Sequence, residues 1–222
     1  MFKKLLVLTS LAIVSFNAIF IILSTIYVFY LKYNNPSTTP LMEQRKRELG
    51  INQIIHSFTP LNRIPKSVVK MVIIAEDCNF YRHNGIDIEG ILIAIEKNLK
   101  IGNMKYYGGS TISQQVARTM FLLPEKSFFR KYLELIITFE MELILGKDRI
   151  LELYLNYAEW GKGIFGISSA SKYFFKKGIH SLSFEETARL VAILPNPRIY
   201  SPFSNSKLVQ NRVDLIKRYY SN

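Results

Sequence analysis

The sequence predicts a mainly α-helical domain preceded by one N-terminal transmembrane helix. An uncharged apolar run extends from Leu5 to Leu31, helical apolar patterns follow it, and no alternating strand pattern of useful length occurs downstream. The chain has 222 residues, enough for one domain plus an anchor, and 49% of them are hydrophobic, enough for a buried core. These features exclude a disordered tail and a coiled coil.

The apolar run has the length of a membrane span. It exceeds the roughly 20 residues that a transmembrane helix needs. The alternative is a cleaved signal peptide, whose apolar core would be about 7 to 15 residues long and would end at a small-residue cleavage site. No convincing cleavage site is present, so we expect the helix to be retained. The predicted organisation is an anchor at residues 1–33, a linker at 34–49 and a folded domain at 50–222.

Charge patterning leaves both orientation and partner open. Lys3 and Lys4 favour a cytoplasmic N-terminus, whereas Lys32 and the cluster Arg45–Arg47 favour the opposite arrangement. The net charge of +12 suits nucleic acid, anionic lipid head groups or a phosphate-bearing substrate. No nucleic-acid-binding module accompanies the charge, so no nucleic acid partner is expected. Cys78 is the only cysteine, which rules out an intramolecular disulfide.

The first helix of the domain delivers two acids to its C-terminal end. Pro65 suits a first helical position, and an apolar stretch then leads to Glu76 and Asp77. Carboxylates are unfavourable there against the helix dipole, so these two need a reason other than helix stability.

Three later helices have recognisable ends. They are predicted over Phe128–Leu145, Lys147–Tyr157 and Ser183–Leu194. The first is nearly apolar all round and is ended by Gly146, which predicts a central helix buried on most sides. The second is an ordinary packing helix. The third begins with a capping box formed by Ser183 and Glu186 and is stopped by Pro195.

Two polar segments are candidate parts of a site. Glu76–Asp87 combines acids, aromatic residues, an arginine and a histidine directly after an apolar helix, although a solvated helix end would look similar. Gly108–Gln115 has paired glycines, which allow close approach of the backbone to a ligand, followed by hydroxyls and amides. It lacks the lysine of a Walker loop, and its alternative interpretation is a turn followed by a helix cap.

A basic cluster follows these segments. Arg118, Lys126, Arg130 and Lys131 are spaced so that several cations could point to one place, as binding of a diphosphate requires. The alternative is a solvated basic face, in which Arg130 and Glu134 form a plain i,i+4 pair worth about 0.2 to 0.5 kcal/mol.

The order and spacing of these segments resemble those of the family-51 glycosyltransferases that polymerise lipid II. A Glu-Asp-x-x-Phe-x-x-His-x-Gly-x-Asp motif of that family is similar to Glu76–Asp87, and a Gly-Gly-Ser-Thr-Ile-(Ser/Thr)-Gln-Gln motif to Gly108–Gln115. Further similar segments are Arg130–Glu134, Ile150–Asn156, Glu159–Gly166, Ala170–Lys176 and Leu194–Pro197. The resemblance covers roughly residues 60–202 and is closest to the monofunctional Gram-negative branch. It departs from the family at Phe175, where a glycine is usual.

The resemblance implies a lysozyme-like helical glycosyltransferase domain with a defined chemistry. Glu76 would be the general base that deprotonates the acceptor 4-hydroxyl of lipid II, and undecaprenyl diphosphate would leave with inversion of the anomeric centre. Glu134 would be a second active-site glutamate, with a structural salt bridge as its alternative role. The residues expected to bind the substrate are Ser110, Thr111, Gln114, Gln115, Arg118, Lys126, Arg130 and Lys131. A structural role is expected for His83 rather than metal binding.

The same resemblance implies the partners and the place of action. The partners are lipid II, the growing lipid-linked glycan strand and the membrane, with division or cell-wall synthesis proteins as further candidates. The domain would be periplasmic, on a single-pass anchor in the bacterial inner membrane, and a hydrophobic patch within 91–107 would dip into the bilayer. No cofactor is required, although Mg²⁺ or Mn²⁺ could assist diphosphate binding. Because the chain ends soon after Pro202, no transpeptidase domain is expected.

Two other functions remain candidates. One is a lysozyme-like lytic enzyme that cuts peptidoglycan with an acidic residue on a related fold, which would need no basic cluster for a diphosphate. The other is a non-catalytic scaffold of the division machinery, which would tolerate Glu76→Gln.

Overall fold

The computed structural model describes residues 2–101, 108–123, 125 and 127–221, and the predicted mainly helical fold is confirmed. The helices are α1 (Phe2–Tyr33), α2 (Pro40–Leu49), α3 (Lys66–Glu76), α4 (Ile88–Ile101), α5 (Ile112–Phe121), α6 (Phe128–Ile144), α7 (Lys147–Tyr157), α8 (Ile167–Phe175), α9 (Phe184–Ala192) and α10 (Lys207–Tyr220). Short 3₁₀ turns lie at Leu61–Arg63 and Ile179–Ser181. α5 packs against both α6 and α7, and α3 packs against α9 and α10.

Three short strands escaped prediction from the sequence. β1 (Ile55–His56) pairs in parallel with β3 (Ile164–Phe165), and β3 pairs antiparallel with β2 (Glu159–Gly161). Each strand has only two or three residues, too few for an alternating pattern to be read. β2 and β3 are also buried throughout, which removes any polar face.

The predicted helix ends agree closely with the structure. Pro65 is the cap residue directly before α3, and α7 has the predicted bounds. The capping box of α9 is present, because Ser183 and Glu186 each accept from the other's backbone amide. α9 ends at Ala192, two residues before the predicted end.

Helix α6 is buried or half-buried on most sides, as predicted, but it also has an exposed apolar stripe that the sequence did not predict. Ile137 and Glu134 are 0% exposed, whereas Phe128 is 97% exposed and Leu143 is 87% exposed. An apolar residue contacts lipid as favourably as it contacts protein, so composition alone does not tell which environment surrounds a helix.

The segment predicted as a linker contains helix α2. Thr39 caps it by accepting from the amide of Met42, Pro40 follows at the first helical position, and Gly50 ends it in the left-handed region at φ 62°. Met42 is 1% exposed and belongs to the hydrophobic core. Residues 40–49 therefore pack as part of the folded body.

The connection between α1 and α2 is held by side chains of α7. Arg149 donates to the carbonyl of Asn34 and to the side chain of Asn35, both at 2.7 Å, and to the carbonyl of Leu31 at 2.8 Å. The hydroxyl of Tyr157 donates to the carbonyl of Pro36 at 2.7 Å. The chain leaves α1 along a fixed path.

Helix α1 has two different halves. It is long and apolar enough to cross a membrane, and its most apolar stretch is not covered by the rest of the protein. From Phe16 onward it lies against α6, and further along Val28 and Leu31 are fully buried and join the core. Helix α1 therefore shares the hydrophobic core of the domain.

Candidate active site

A cleft of about 480 Å³ opens where the C-terminal end of α3 meets the N-terminal end of α5. Its polar lining includes Glu76, Asp77, Asn79, Asp87, Lys97, Ser110 and Thr111. Gly109 lets the loop before α5 approach α4 closely, since a Cβ there would lie 3.0 Å from Cγ1 of Ile91. Both polar segments identified from the sequence thus line one cleft.

The carboxylate of Glu76 is held from two sides. Nη2 of Arg212 on α10 donates to its Oε1 at 2.5 Å, and Nε2 of Gln115 on α5 donates to its Oε2 at 3.3 Å. The Glu76 side chain is 9% exposed, so it keeps an opening to the cleft. These two donors fix the position of the carboxylate at the cleft.

Tyr154 of α7 lies beneath Glu76. Burial raises the pKa of the Tyr154 hydroxyl well above its usual value of 10.0, and the Glu76 carboxylate raises it further, against a smaller opposite effect of Arg212 and Arg118. The hydroxyl therefore keeps its proton at neutral pH and is available as a hydrogen-bond donor beside the carboxylate.

Asp77 joins the ends of α3 and α5. Its Oδ2 accepts from the amide of Ile112 at 2.9 Å, and its Oδ1 lies 3.0 Å from Nε2 of His83. Because Nδ1 of His83 accepts from the amide of Gly85, Nε2 carries the ring proton and donates to Asp77. Burial raises the pKa of Asp77, partly offset by these two donors. Asp77 and His83 thus hold the framework of the cleft.

The predicted binding residues of the Gly108–Gln115 segment have different surroundings. Ser110 lines the cleft, and Gln115 contacts Glu76. Thr111 and Gln114 are each 2% exposed and form the capping box of α5, in which each accepts from the other's amide. Thr111 also donates to the carbonyl of Gly85 at 2.7 Å. Their polar groups are used to start α5 at the cleft.

Glu134 on α6 is the centre of a separate charged cluster. Its Oε2 accepts from Nη1 of Arg130 and its Oε1 from Nζ of Lys131, both at 2.5 Å. Glu134 is fully buried, whereas the side chain of Lys131 is 39% exposed. Nε of Arg130 is buried without a hydrogen-bond partner among the described residues. One carboxylate thus orients two cations, leaving a positive excess.

The structure brings part of the predicted cation set to Glu76. Arg118 lies three positions after Gln115 on α5, on the same helix face, and its charge acts on Tyr154. Lys126 lies outside the described residues. Arg130 and Lys131 lie on the neighbouring helix α6 and do not line the cleft around Glu76.

Sequence reasoning missed Arg212. It lies on α10, outside every motif, but the spacing of the apolar residues around it could have identified it. Val209, Val213 and Ile216 are buried positions of that helix, and Arg212 falls on the same stripe. A charged residue within an apolar stripe indicates a partner inside the protein.

No three His, Cys, Asp or Glu side chains come together as potential metal ligands in the described parts of the chain. The predicted aid from a divalent cation has no matching donor set there.

Comparison with known proteins finds similarity over most of the chain. Residues 43–220 match the family described as Transglycosylase. A biosynthetic peptidoglycan transglycosylase of Thiobacillus denitrificans is 43% identical over 190 residues, covering 84% of this chain and 82% of the relative. The proteins of that name from Aromatoleum aromaticum and Chromobacterium violaceum are 45% identical over 177 residues and 38% identical over 196 residues. These alignments cover 78% and 86% of this chain, and 76% and 86% of the respective relatives.

Proposed function

The chain belongs to the transglycosylase family and is a peptidoglycan glycosyltransferase of cell-wall synthesis, and from this premise we propose that it polymerises lipid II into β-1,4-linked strands with release of undecaprenyl diphosphate. The observation that carries the proposal is the Glu76 carboxylate, held by Arg212 and Gln115 at the edge of a cleft of about 480 Å³. The cations of α5 and α6 lie on adjoining helices.

Glu76 acts as the general base. Its carboxylate takes the proton of the acceptor 4-hydroxyl of lipid II, the oxygen attacks the anomeric carbon of the lipid-linked strand, and the bond to the diphosphate oxygen breaks. This single displacement inverts the anomeric centre and needs no covalent enzyme intermediate. A positioned base of this kind contributes about 10²- to 10⁴-fold in rate.

The leaving diphosphate is stabilised by cations. Negative charge builds on its bridging oxygen in the transition state, where a preorganised guanidinium or ammonium group stabilises it more than the ground state. Arg118, Arg130 and Lys131 fit this role, together with Lys126. Glu134 supports it by orienting two of these cations through its own hydrogen bonds.

The sugar units bind along the loop before α5. Ser110 offers an open hydroxyl in the cleft, and Gln115 has a second donor hydrogen beyond the one given to Glu76. Thr111 and Gln114 support binding indirectly through the cap of α5.

The membrane is the second partner. Helix α1 spans the bacterial inner membrane once, and the domain lies on the periplasmic side, where lipid II is consumed. Support comes from exposed apolar side chains beside the anchor, including Phe128, Phe129, Phe139 and Leu143 of α6. Leu92 and Leu99 of α4 are a second exposed apolar group, in the described part of the segment predicted to dip into the bilayer, and the exposed Ile88 lies just before that segment. Division or cell-wall synthesis proteins remain candidate partners.

Assistance by a divalent cation in diphosphate binding stays a prediction, and no site is assigned to the cation. Asp77 is committed to Ile112 and His83, and the described part of the chain offers no group of three metal-ligating side chains. No step of the reaction is therefore assigned to a metal.

The test is polymerisation of fluorescent lipid II by the full-length protein in detergent, with products separated by size. Glu76→Gln is expected to lower the rate by about 10²- to 10⁴-fold, because the amide cannot take the proton. Glu185→Gln on α9 is the matched control, since Glu185 bonds Arg189 and Lys217 away from the cleft. The control should polymerise like the parent.

The same preparation distinguishes the lytic alternative. Solubilisation of finished peptidoglycan without polymer formation would reject the glycosyltransferase proposal in favour of a hydrolase. Equal polymer from the parent and Glu76→Gln would reject Glu76 as the base.

A further inference from the structure

Helix α1 carries two pairs of adjacent hydroxyl residues with different surroundings. Thr9 and Ser10 each donate to the carbonyl of Leu6 in their own helix at 2.9 Å. Thr25 instead donates to Oε1 of Glu140 on α6 at 2.9 Å, and Ser24, whose hydroxyl also bonds the carbonyl of Phe20 in its own helix at 2.8 Å, lies 3.0 Å from the same oxygen. The second pair contacts the catalytic body, whereas the first pair is bonded within the anchor.

Glu140 is an unexpected residue at this interface. Its Oε2 is buried and has no hydrogen-bond partner among the described residues. A carboxylate between apolar helix faces costs free energy unless it is fully hydrogen-bonded, and an apolar residue of similar size would avoid that cost. The stability of the interface therefore does not explain Glu140. A single polar group between packed helices instead specifies their register.

The register of the two helices matters because α6 carries the charged cluster around Glu134. Phe16 meets Phe129 at 5.7 Å between ring centroids, Tyr132 donates to Asn17 at 2.6 Å, and Thr25 meets Glu140 further along. The two helices therefore run in the same direction. A slip by one turn would displace one helix along the other by about 5.4 Å.

Glu134, with Arg130 and Lys131, lies within this contact zone of α6. A slip of the anchor would change the depth of these cations relative to the bilayer by the same distance. A lipid-linked diphosphate lies at the level of the lipid head groups, so this depth decides whether the cations can reach it.

We propose that Ser24 and Thr25, acting through Glu140, are positioning residues that fix the depth of Arg130, Lys131 and Glu134 relative to the diphosphate of the lipid-linked substrate. The inference rests on the proposed function, because the substrate must lie in the bilayer for depth to matter. Ser24 and Thr25 touch no substrate themselves.

The kinetic experiment compares Ser24→Ala/Thr25→Val with Thr9→Val/Ser10→Ala, a matched pair of hydroxyl deletions on the same helix. Both full-length variants are reconstituted in phosphatidylethanolamine–phosphatidylglycerol vesicles with fluorescent lipid II. The first variant should raise KM roughly 3- to 10-fold with kcat within about twofold, the scale of lost interhelical hydrogen bonds. The second should match the parent. In detergent micelles, which impose no fixed depth, the difference in KM should disappear.

A second measurement reports register without activity. Phe16→Cys and Phe129→Cys are combined in a Cys78→Ser background and joined by a short bifunctional thiol reagent. Adding Ser24→Ala/Thr25→Val should lower the cross-linked fraction severalfold, as should Glu140→Leu. Glu140→Gln keeps an acceptor oxygen and should cross-link like the parent background.

Two outcomes separate the inference from the proposed function. Equal KM and equal cross-linking for the two hydroxyl deletions would overturn the positioning role. If the parent makes no polymer, the proposed function is rejected, while cross-linking still decides whether the hydroxyls set the register.

Discussion

At the scale of single residues, the contact of Arg212 with Glu76 makes a direct prediction. Arg212→Gln should lower kcat about 10- to 100-fold, the equivalent of losing a charged hydrogen bond worth about 1.5 to 3 kcal/mol. The measurement is kcat for lipid II polymerisation by the full-length protein. The other groups facing Glu76 are Gln115, Tyr154 and Arg118, and they are unchanged in this variant.

Two variants control this measurement. Arg218→Gln removes a cation from an exposed position of the same helix and should leave the rate unchanged. Arg212→Lys keeps the charge but loses the fixed geometry of the guanidinium, so its rate should lie between those of the parent and Arg212→Gln. A rate of Arg212→Gln equal to that of the parent would contradict the role of Arg212 in holding Glu76.

The local sequence predicts Glu76 as a site residue but does not predict all of its hydrogen-bond partners. Glu76 and Gln115 belong to motifs whose residues are close in sequence and typical of one chemistry. Arg212 is 136 positions from Glu76, and the contact depends on how α10 packs against α3. A pairing of that kind follows from tertiary structure, not from any local pattern.

At the scale of elements, the cap of α5 is the feature to test. Thr111→Val removes the acceptor for the Gln114 amide and the donor to the Gly85 carbonyl, which should cost about 1 to 3 kcal/mol. The melting temperature should fall by roughly 2 to 4 °C per kcal/mol for a chain of this size. Polymerisation should fall with it, because Asp77 holds the start of α5 at the cleft.

Ser183→Ala deletes the corresponding hydroxyl from the exposed capping box of α9 and should cost less, with normal activity. Thr111→Ser keeps the hydroxyl and should restore most of the stability. A raised KM at an unchanged melting temperature in Thr111→Val would instead identify Thr111 as a substrate contact.

The elements that sequence reasoning found are those with long apolar patterns and clear end signals. α3, α7 and α9 have caps or prolines at their ends, and their bounds were predicted within two residues. The strands lack such signals because they are two or three residues long and buried. α2 is polar in composition and reads as a linker, although Thr39 and Gly50 supply a cap at each end.

At the scale of the whole molecule, the anchor and the domain share one hydrophobic core. Val28→Ala/Leu31→Ala should therefore destabilise the domain by several kcal/mol and lower its melting temperature in detergent by on the order of 10 °C. The matched control is Leu8→Ala/Leu11→Ala, at positions that are 64% and 58% exposed. Equal melting temperatures for the two variants would mean that α1 is only a tether.

The sequence alone does not predict that α1 and the domain share a hydrophobic core. The apolar run predicts that α1 can cross a membrane, but the same composition suits contact with lipid and contact with α6. The bonds that connect the two helices join residues more than a hundred positions apart, such as Thr25 and Glu140.

The fixed path between α1 and α2 limits how far the enzyme can reach. A free stretch of chain would let the domain move by about 3.3 to 3.6 Å for each extended residue, but Asn34 and Pro36 are tied to Arg149 and Tyr157. In the proposed membrane-anchored arrangement, the domain therefore has no stalk and stays against the bilayer. A growing glycan strand would then travel outward past a stationary enzyme, so the polymer itself would bridge the distance from the membrane to the existing wall.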